Sequence, residues 1–249
     1  MIEIQNLVKT YDGFAAVDGL SLAVGAGEIV GLVGPNGAGK TTTLRCLAGI
    51  LPATAGRIVV AGHDLEAEPV EARRRLAFVP DEPRLFENLT VGDHVRVIGR
   101  IYGVADAAER AAQLLAAFDL ADRREAFPAE LSRGMKQKLM IALALLHRPA
   151  ALILDEPLTG LDPGSIRRMK RTIVEQAQAG AAVLVSSHLL ALVQEICGRV
   201  VIVQHGRQVL AGTLDQIRAA LPGLAADADL EEIFLRATEG TAAAAAGDR

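Results

Sequence analysis

Gly34-Pro35-Asn36-Gly37-Ala38-Gly39-Lys40-Thr41 fits the pattern G-x-x-x-x-G-K-[ST]. An apolar run, Glu28 to Val33, leads into it. A helix-forming segment leads away, from about Gly39 to Ala48, until Gly49 and Pro52 stop it. Strand, glycine-rich loop, helix is the context this chemistry needs. Glycines let successive backbone N–H groups curl around a phosphate, and the next helix aims its positive end at the anion. Asn36, Gly37, Ala38 and Gly39 form the cradle. Lys40 can reach the β- and γ-phosphates of a nucleoside triphosphate, the Thr41 hydroxyl can hold Mg²⁺, and Thr42 adds a hydroxyl near the α-phosphate.

A second strand completes that chemistry. Ala150 to Leu154 is continuously apolar, as a strand buried on both faces must be, and it ends in Asp155-Glu156. Ligands of open α/β sheets sit at the carboxyl ends of strands. Asp155 is therefore expected to meet Mg²⁺ through water. Glu156, one residue on, is placed to polarise an attacking water.

Working outward, Ile2 to Val8 and Leu20 to Val24 read as short strands broken by Asp12-Gly13 and Gly25-Ala26-Gly27. Arg57 to Val60 and Leu76 to Val79 are further strands. From Pro83 the texture turns alanine-rich and helix-periodic, with helices expected over Val91 to Tyr102 and Ala107 to Leu120. Strands then return at Ala151 to Leu154, Ala182 to Val185 and Val200 to Gln204, with helices between them. Such alternation predicts an α/β fold around a mostly parallel sheet. We expect one domain over residues 1–238, with a helical subdomain of about residues 83–147 inserted, and a low-complexity, frayed tail over 239–249.

The bulk numbers narrow the function. A net charge of −4 argues against a general nucleic-acid binder, and 51% hydrophobic residues allow a substantial core. Cys46 and Cys197 stand in no metal-ligand spacing and read as reduced core thiols of a cytosolic protein. The segment Gln176 to Gln194 lacks charge. Gly180, Ser186, Ser187 and His188 interrupt it, so it falls short of the roughly 20 apolar residues of a membrane span. Work at a membrane would need another chain to cross it.

Leu131-Ser132-Arg133-Gly134-Met135-Lys136-Gln137 resembles the signature loop of ATP-binding cassettes, usually written LSGGQ, and precedes Asp155 at the spacing of that family. Tyr11, Leu161-Asp162, Ser187-His188 and Gly206-Arg207 follow in the family's order, so the resemblance covers about residues 1–238. It implies a P-loop NTPase core with an N-terminal antiparallel β subdomain and an inserted helical subdomain. It also implies ATP and Mg²⁺ as ligands, and two cassettes packed head to tail as a homodimer or heterodimer. Tyr11 is then expected to stack on adenine, with Val17 near the base or ribose. Ser132 and Gly134 would reach the partner's ATP in trans, Leu161-Asp162 would cross to the partner, and His188 would bond the γ-phosphate. Ser132 and Gly134 open a helix running to about Leu146, whose N-terminus carries roughly half a positive charge. Arg133, Lys136 and Lys138 crowd that same end and oppose the dipole.

Three positions depart from the pattern, Arg133 and Met135 within the signature and Asp81 outside it. Arg133 replaces the first glycine of the signature, and Met135-Lys136 resembles exporter-type cassettes. Asp81 stands where most cassettes have a Gln that binds Mg²⁺ and links the site to the membrane partner. An Asp can still coordinate a hard cation, so Asp81 joins Thr41 and Asp155 as a metal candidate. The resemblance implies the ATP-hydrolysing subunit of a transporter, cytoplasmic and peripheral on the membrane, exporting cargo through a separate integral-membrane subunit that docks on residues 82–127. The alternatives are a soluble cassette serving assembly or regulation, and a nucleotide-binding module that no longer turns over.

Overall fold

The computed structural model describes residues 1–221, 223–225 and 227–246. Two sheets organise it. The first is antiparallel, in the order β2-β1-β4-β5, from β1 (Ile2–Tyr11), β2 (Phe14–Val24), β4 (Ala55–Val60) and β5 (His63–Asp64). The second has six strands in the order β10-β9-β3-β8-β7-β6. It comprises β3 (Ile29–Val33), β6 (Leu76–Val79), β7 (Ala151–Asp155), β8 (Ala182–Ser186), β9 (Arg199–Gln204) and β10 (Arg207–Gly212). All its neighbours run parallel except β9 and β10, which close a hairpin.

The period-two rule of strands assigns each face of the second sheet to a different core. On β7, Ala151 and Ile153 face one cluster, with Ala182 and Leu184 of β8 beside them. Packed there are Ile2, Leu7 and Leu20 of the antiparallel sheet and Leu44 and Leu47 of helix α1 (Lys40–Leu47). Leu152, Leu154, Val183 and Val185 face the other way, against helices α3 (Val91–Ile101), α4 (Ala107–Ala117), α5 (Arg133–Leu145) and α6 (Pro163–Gln178). Helix α1 is thus sandwiched between the sheets, which fixes the loop preceding it. A third cluster joins β9 to α7 (Leu190–Ile196), α8 (Leu214–Ala220) and α9 (Leu230–Ala246). The remaining helix, α2 (Pro69–Arg74), packs beside β4 and β5.

Helix ends follow local chemistry. Thr90 and Asp93 make a reciprocal capping box at α3, and Thr213 with Gln216 makes one at α8. Asp162 caps α6 before Pro163. Helix α4 stops at Ala117, short of the expected Leu120. Asp119 adopts φ +57° and the Leu120 N–H bonds back to the Leu115 carbonyl, a left-handed terminator made without glycine. Strands β1 and β2 run longer than their apolar runs, because register shifts at Ile4/Leu7, Leu7/Val8 and Lys9/Thr10 break the alternation the sequence shows. Helices α3 to α5 lie between β6 and β7, within the expected insertion. Helix α9 continues to Ala246, into the stretch expected to fray, and residues 247–249 of that stretch lie outside the described residues. Among the described residues, no helix is long and apolar enough to cross a membrane.

Candidate active site

The loop between β3 and α1 closes on itself. The Ala38 N–H bonds to the Pro35 carbonyl, and the Gly206 N–H of the β9–β10 turn bonds to the Ala38 carbonyl, each at 3.1 Å. Gly39 has φ +98°, and a Cβ there would stand 2.3 Å from the Ala16 carbonyl oxygen of β2, so only glycine fits. Helix α1 begins at Lys40 with no side-chain cap and no acidic residue in its first turn. Its first N–H groups and its positive end are left for an external anion. Lys40 is buried, and its Nζ donates to the carbonyls of Gly34 at 2.6 Å and Pro35 at 3.1 Å. Burial pushes its pKa below the ordinary lysine value, while the nearby Glu156 and Asp155 carboxylates oppose that shift.

Those carboxylates come from the carboxyl end of β7. Asp155 is buried beside Ser186, its register partner on β8, and accepts a 2.6 Å hydrogen bond from the Ser186 hydroxyl. Glu156 leaves the strand at φ +48°, a conformation rare outside glycine, with its N–H bonded to the Ser186 carbonyl. That turn brings its carboxylate 2.8 Å from His188 Nδ1 and 3.4 Å from the Ser187 hydroxyl.

These groups share one cleft of about 600 Å³, lined by Asn36 to Thr42, Phe14, Ala16, Asp81, Asp155, Glu156, Thr159 and His188. Its chemistry is a basic, N–H-rich floor facing a carboxylate wall, the complement of a polyphosphate and an attacking water. A cleft of about 540 Å³ behind α1, lined by residues including Cys46, Arg57, Asp64 and Arg73, contains none of these groups.

With that geometry in hand, the comparisons with known proteins are specific. Residues 17–159 match the family model described as ABC transporter. The chain belongs to the ABC transporter family. It is 39% identical over 222 residues to the daunorubicin/doxorubicin resistance ATP-binding protein DrrA of Streptomyces peucetius, covering 88% of this chain and 67% of that one. It is 34% identical over 241 residues to the ABC-type transporter ATP-binding protein EcsA of Bacillus subtilis (strain 168), covering 96% and 97%. A solved structure described as the ATP binding subunit of an ABC transporter superposes with a TM-score of 0.91 at 38% identity, covering 96% of this chain and 99% of the other. The chain is an ABC ATP-binding subunit and an ATPase.

Within this cassette the expected residues are placed unequally. Asn36 to Thr42, Asp81, Asp155, Glu156 and His188 meet at the cleft. Val17 does not: it is buried in the core between the sheets, and its neighbour Ala16 lines the cleft instead. Strand alternation explains the exchange, since adjacent residues face opposite sides. Tyr11 lies outside the cleft lining, with Lys9 Nζ 5.0 Å from its ring centroid, whereas Phe14, its register partner across the Asp12-Gly13 turn, is on the lining. Ser132 and Gly134 sit at the start of α5, away from the chain's own cleft, and the Ser132 hydroxyl caps the helix by accepting from the Met135 N–H at 3.3 Å. The other histidines have structural partners or lie elsewhere: His94 bonds to Thr90 and Phe86, and His147 stacks on Tyr102.

Sequence reasoning missed Phe14, Ala16, Thr159 and Ser186 as site residues. Ser186 closes its own strand in the sequence, but only the pairing of β7 with β8 brings it beside Asp155. Gly206, one of the marks in family order, also buttresses the phosphate loop, a role the sequence does not show.

Proposed function

We propose that this cassette binds Mg-ATP in the cleft, pairs head to tail with a second cassette, and drives export through a separate membrane-spanning chain at the cytoplasmic face of the membrane. The convergence of Lys40, Asp155, Glu156 and His188 on the uncapped start of α1 carries the reading. The β- and γ-phosphate oxygens replace the Gly34 and Pro35 carbonyls around Lys40 Nζ. Water attacks the γ-phosphorus, the bond to the β,γ-bridging oxygen breaks, and Glu156 receives the water's proton while ADP leaves. His188 positions Glu156 and donates to the γ-phosphate. Adenine stacks at the β1–β2 hairpin on Tyr11, with Phe14 across the turn as a second aromatic face and Ala16 beside it in place of Val17.

Among the described residues no three His, Cys, Asp or Glu side chains cluster as a metal cage. That fits Mg²⁺, which takes few protein ligands and keeps water and phosphate oxygens. Thr41, Asp155 and Asp81 offer hard oxygens for it. When bound, the ion neutralises charge on the β- and γ-phosphates.

The names of the relatives support export. A groove of about 170 Å³ between α3, α5 and the Arg84–Phe86 segment, with Phe86 exposed at its edge, supports docking of the membrane subunit on residues 82–127. The whole of residues 1–238 acts as the ATPase unit. Glu156→Gln tests the chemistry: it should keep ATP bound and cut turnover by about 10²-fold or more. Unchanged hydrolysis would refute the role of Glu156.

A further inference from the structure

Two of the departures from the family pattern, Asp81 and Arg133, fifty-two residues apart in the chain, meet in space. A terminal nitrogen of the Arg133 guanidinium lies 3.6 Å from Asp81 Oδ1, an ion pair with both side chains about half exposed. Asp81 Oδ1 itself is shielded from solvent and makes no hydrogen bond. The same carboxylate stands on the wall of the chain's own cleft. The Arg133 side chain reaches it by passing over Gly160, where an added Cβ would stand 3.6 Å from Arg133 Cδ and Nε. One ion pair therefore connects the chain's own nucleotide cleft to the first residue of α5, the helix that starts within the signature loop.

The electrostatics of that link are directional. Arg133 sits at the positive end of α5, which has no acidic residue in its first turn. Asp81 supplies the missing negative charge, but at a distance and without a hydrogen bond, so the hold is weak. An anion arriving in the chain's own cleft repels the Asp81 carboxylate on the cleft wall and displaces it from its contact with Arg133. An anion arriving at the start of α5 competes for Arg133 directly. Both events open the same pair.

We propose that Arg133 is a phosphate-binding residue held in reserve by Asp81, and that ATP in a chain's own cleft releases it toward the partner's γ-phosphate. This rests on the shared-site dimer proposed above. Each bound nucleotide then prepares the signature loop for the other, and the two binding events are positively coupled.

The test uses the full chain with Glu156→Gln, so that ATP persists, and follows ATP-driven dimer formation by analytical ultracentrifugation with and without Mg²⁺. Removing the restraint with Asp81→Asn should lower the ATP concentration for half-maximal dimerisation. Removing the ligand with Arg133→Gln should raise it. Each shift should be about twofold to fivefold, the range of a half-exposed ion pair. The double variant should match Arg133→Gln alone, because Asp81 has nothing left to hold. A merely structural pair would move both single variants in the same direction, and that result overturns the proposal. So does an additive double variant, or an Asp81→Asn effect that appears only with Mg²⁺, which would make Asp81 a metal ligand and nothing more. A Glu156→Gln parent that stays monomeric at every ATP concentration would instead refute the shared-site reading itself.

Discussion

Replacing Ser186 with alanine isolates the interaction that orients Asp155. The two residues are adjacent in register on β8 and β7, both lie in the interior, and the 2.6 Å bond from the Ser186 hydroxyl is the hydrogen bond that the Asp155 side chain makes in the structure. A hydrogen bond to a charged acceptor contributes about 1.5–3 kcal/mol, and a buried carboxylate stripped of its donor keeps its desolvation cost. The expected loss is therefore about 2 kcal/mol of unfolding free energy, partly offset by attraction from Lys40. Urea denaturation followed by circular dichroism measures it, with an unchanged slope required for the comparison. Repeating the substitution on Asp155→Asn should reduce the loss to about 1 kcal/mol, since the acceptor is then neutral. A Ser186→Ala cost below about 0.5 kcal/mol, or the same cost with Asn at 155, would refute the claim that this bond holds the carboxylate.

Gly39→Ala should destabilise the chain by about 2–4 kcal/mol, combining left-handed backbone strain with overpacking against the Ala16 carbonyl. Its thermal midpoint and ATP affinity should fall together, and a stable variant with normal binding would contradict the geometry. Tyr11→Ala with Phe14→Ala should weaken ATP and GTP binding alike by about twofold to tenfold, since stacking uses the π-face that both bases share, as measured by fluorescent-nucleotide titration. Cys197 is packed so that burial pushes its thiol up to about 12, and burial raises Cys46 as well. Both should resist iodoacetamide at pH 8 in the native protein and react fully in guanidinium, as mass spectrometry of the labelled chain would record. Asp162 is held down to about 2 by the Ser165 hydroxyl and N–H it accepts from. Its capping contribution should be complete above about pH 4 and fade as pH falls toward 2, so Asp162→Asn should flatten the acid limb of the stability curve there.

The parts of the fold legible in the sequence were those set by local chemistry and strong periodicity. Strands β3, β7 and β8 are apolar on both faces, so their runs are continuous and their ends sharp. Strands β1 and β2 alternate poorly because bulges reset which residues face the core, and a pattern of period two cannot announce its own interruption. Helix α4 ended early because Asp119, not a glycine, took the left-handed terminal position. The short helices α2 and α8 offer too few turns for an amphipathic pattern to stand out.

The site divides along the same physical line. Lys40, Thr41, Asp155 and Glu156 could be placed because each lies beside a strand end whose position the local pattern fixes. Asp155 and Ser186 became neighbours only through the register of β7 on β8, which no local pattern records. Tyr11 and Phe14 flank one two-residue turn, and which ring faces the cleft depends on the twist of a bulged hairpin rather than on composition. Asp81 and Arg133 make the case most plainly. Read separately, an acidic residue beside phosphates and a basic residue at a helix start each look like a local defect. Their 3.6 Å contact turns two unfavourable charges into one compensated pair, placed where opening it exposes a cation to the neighbouring subunit's nucleotide.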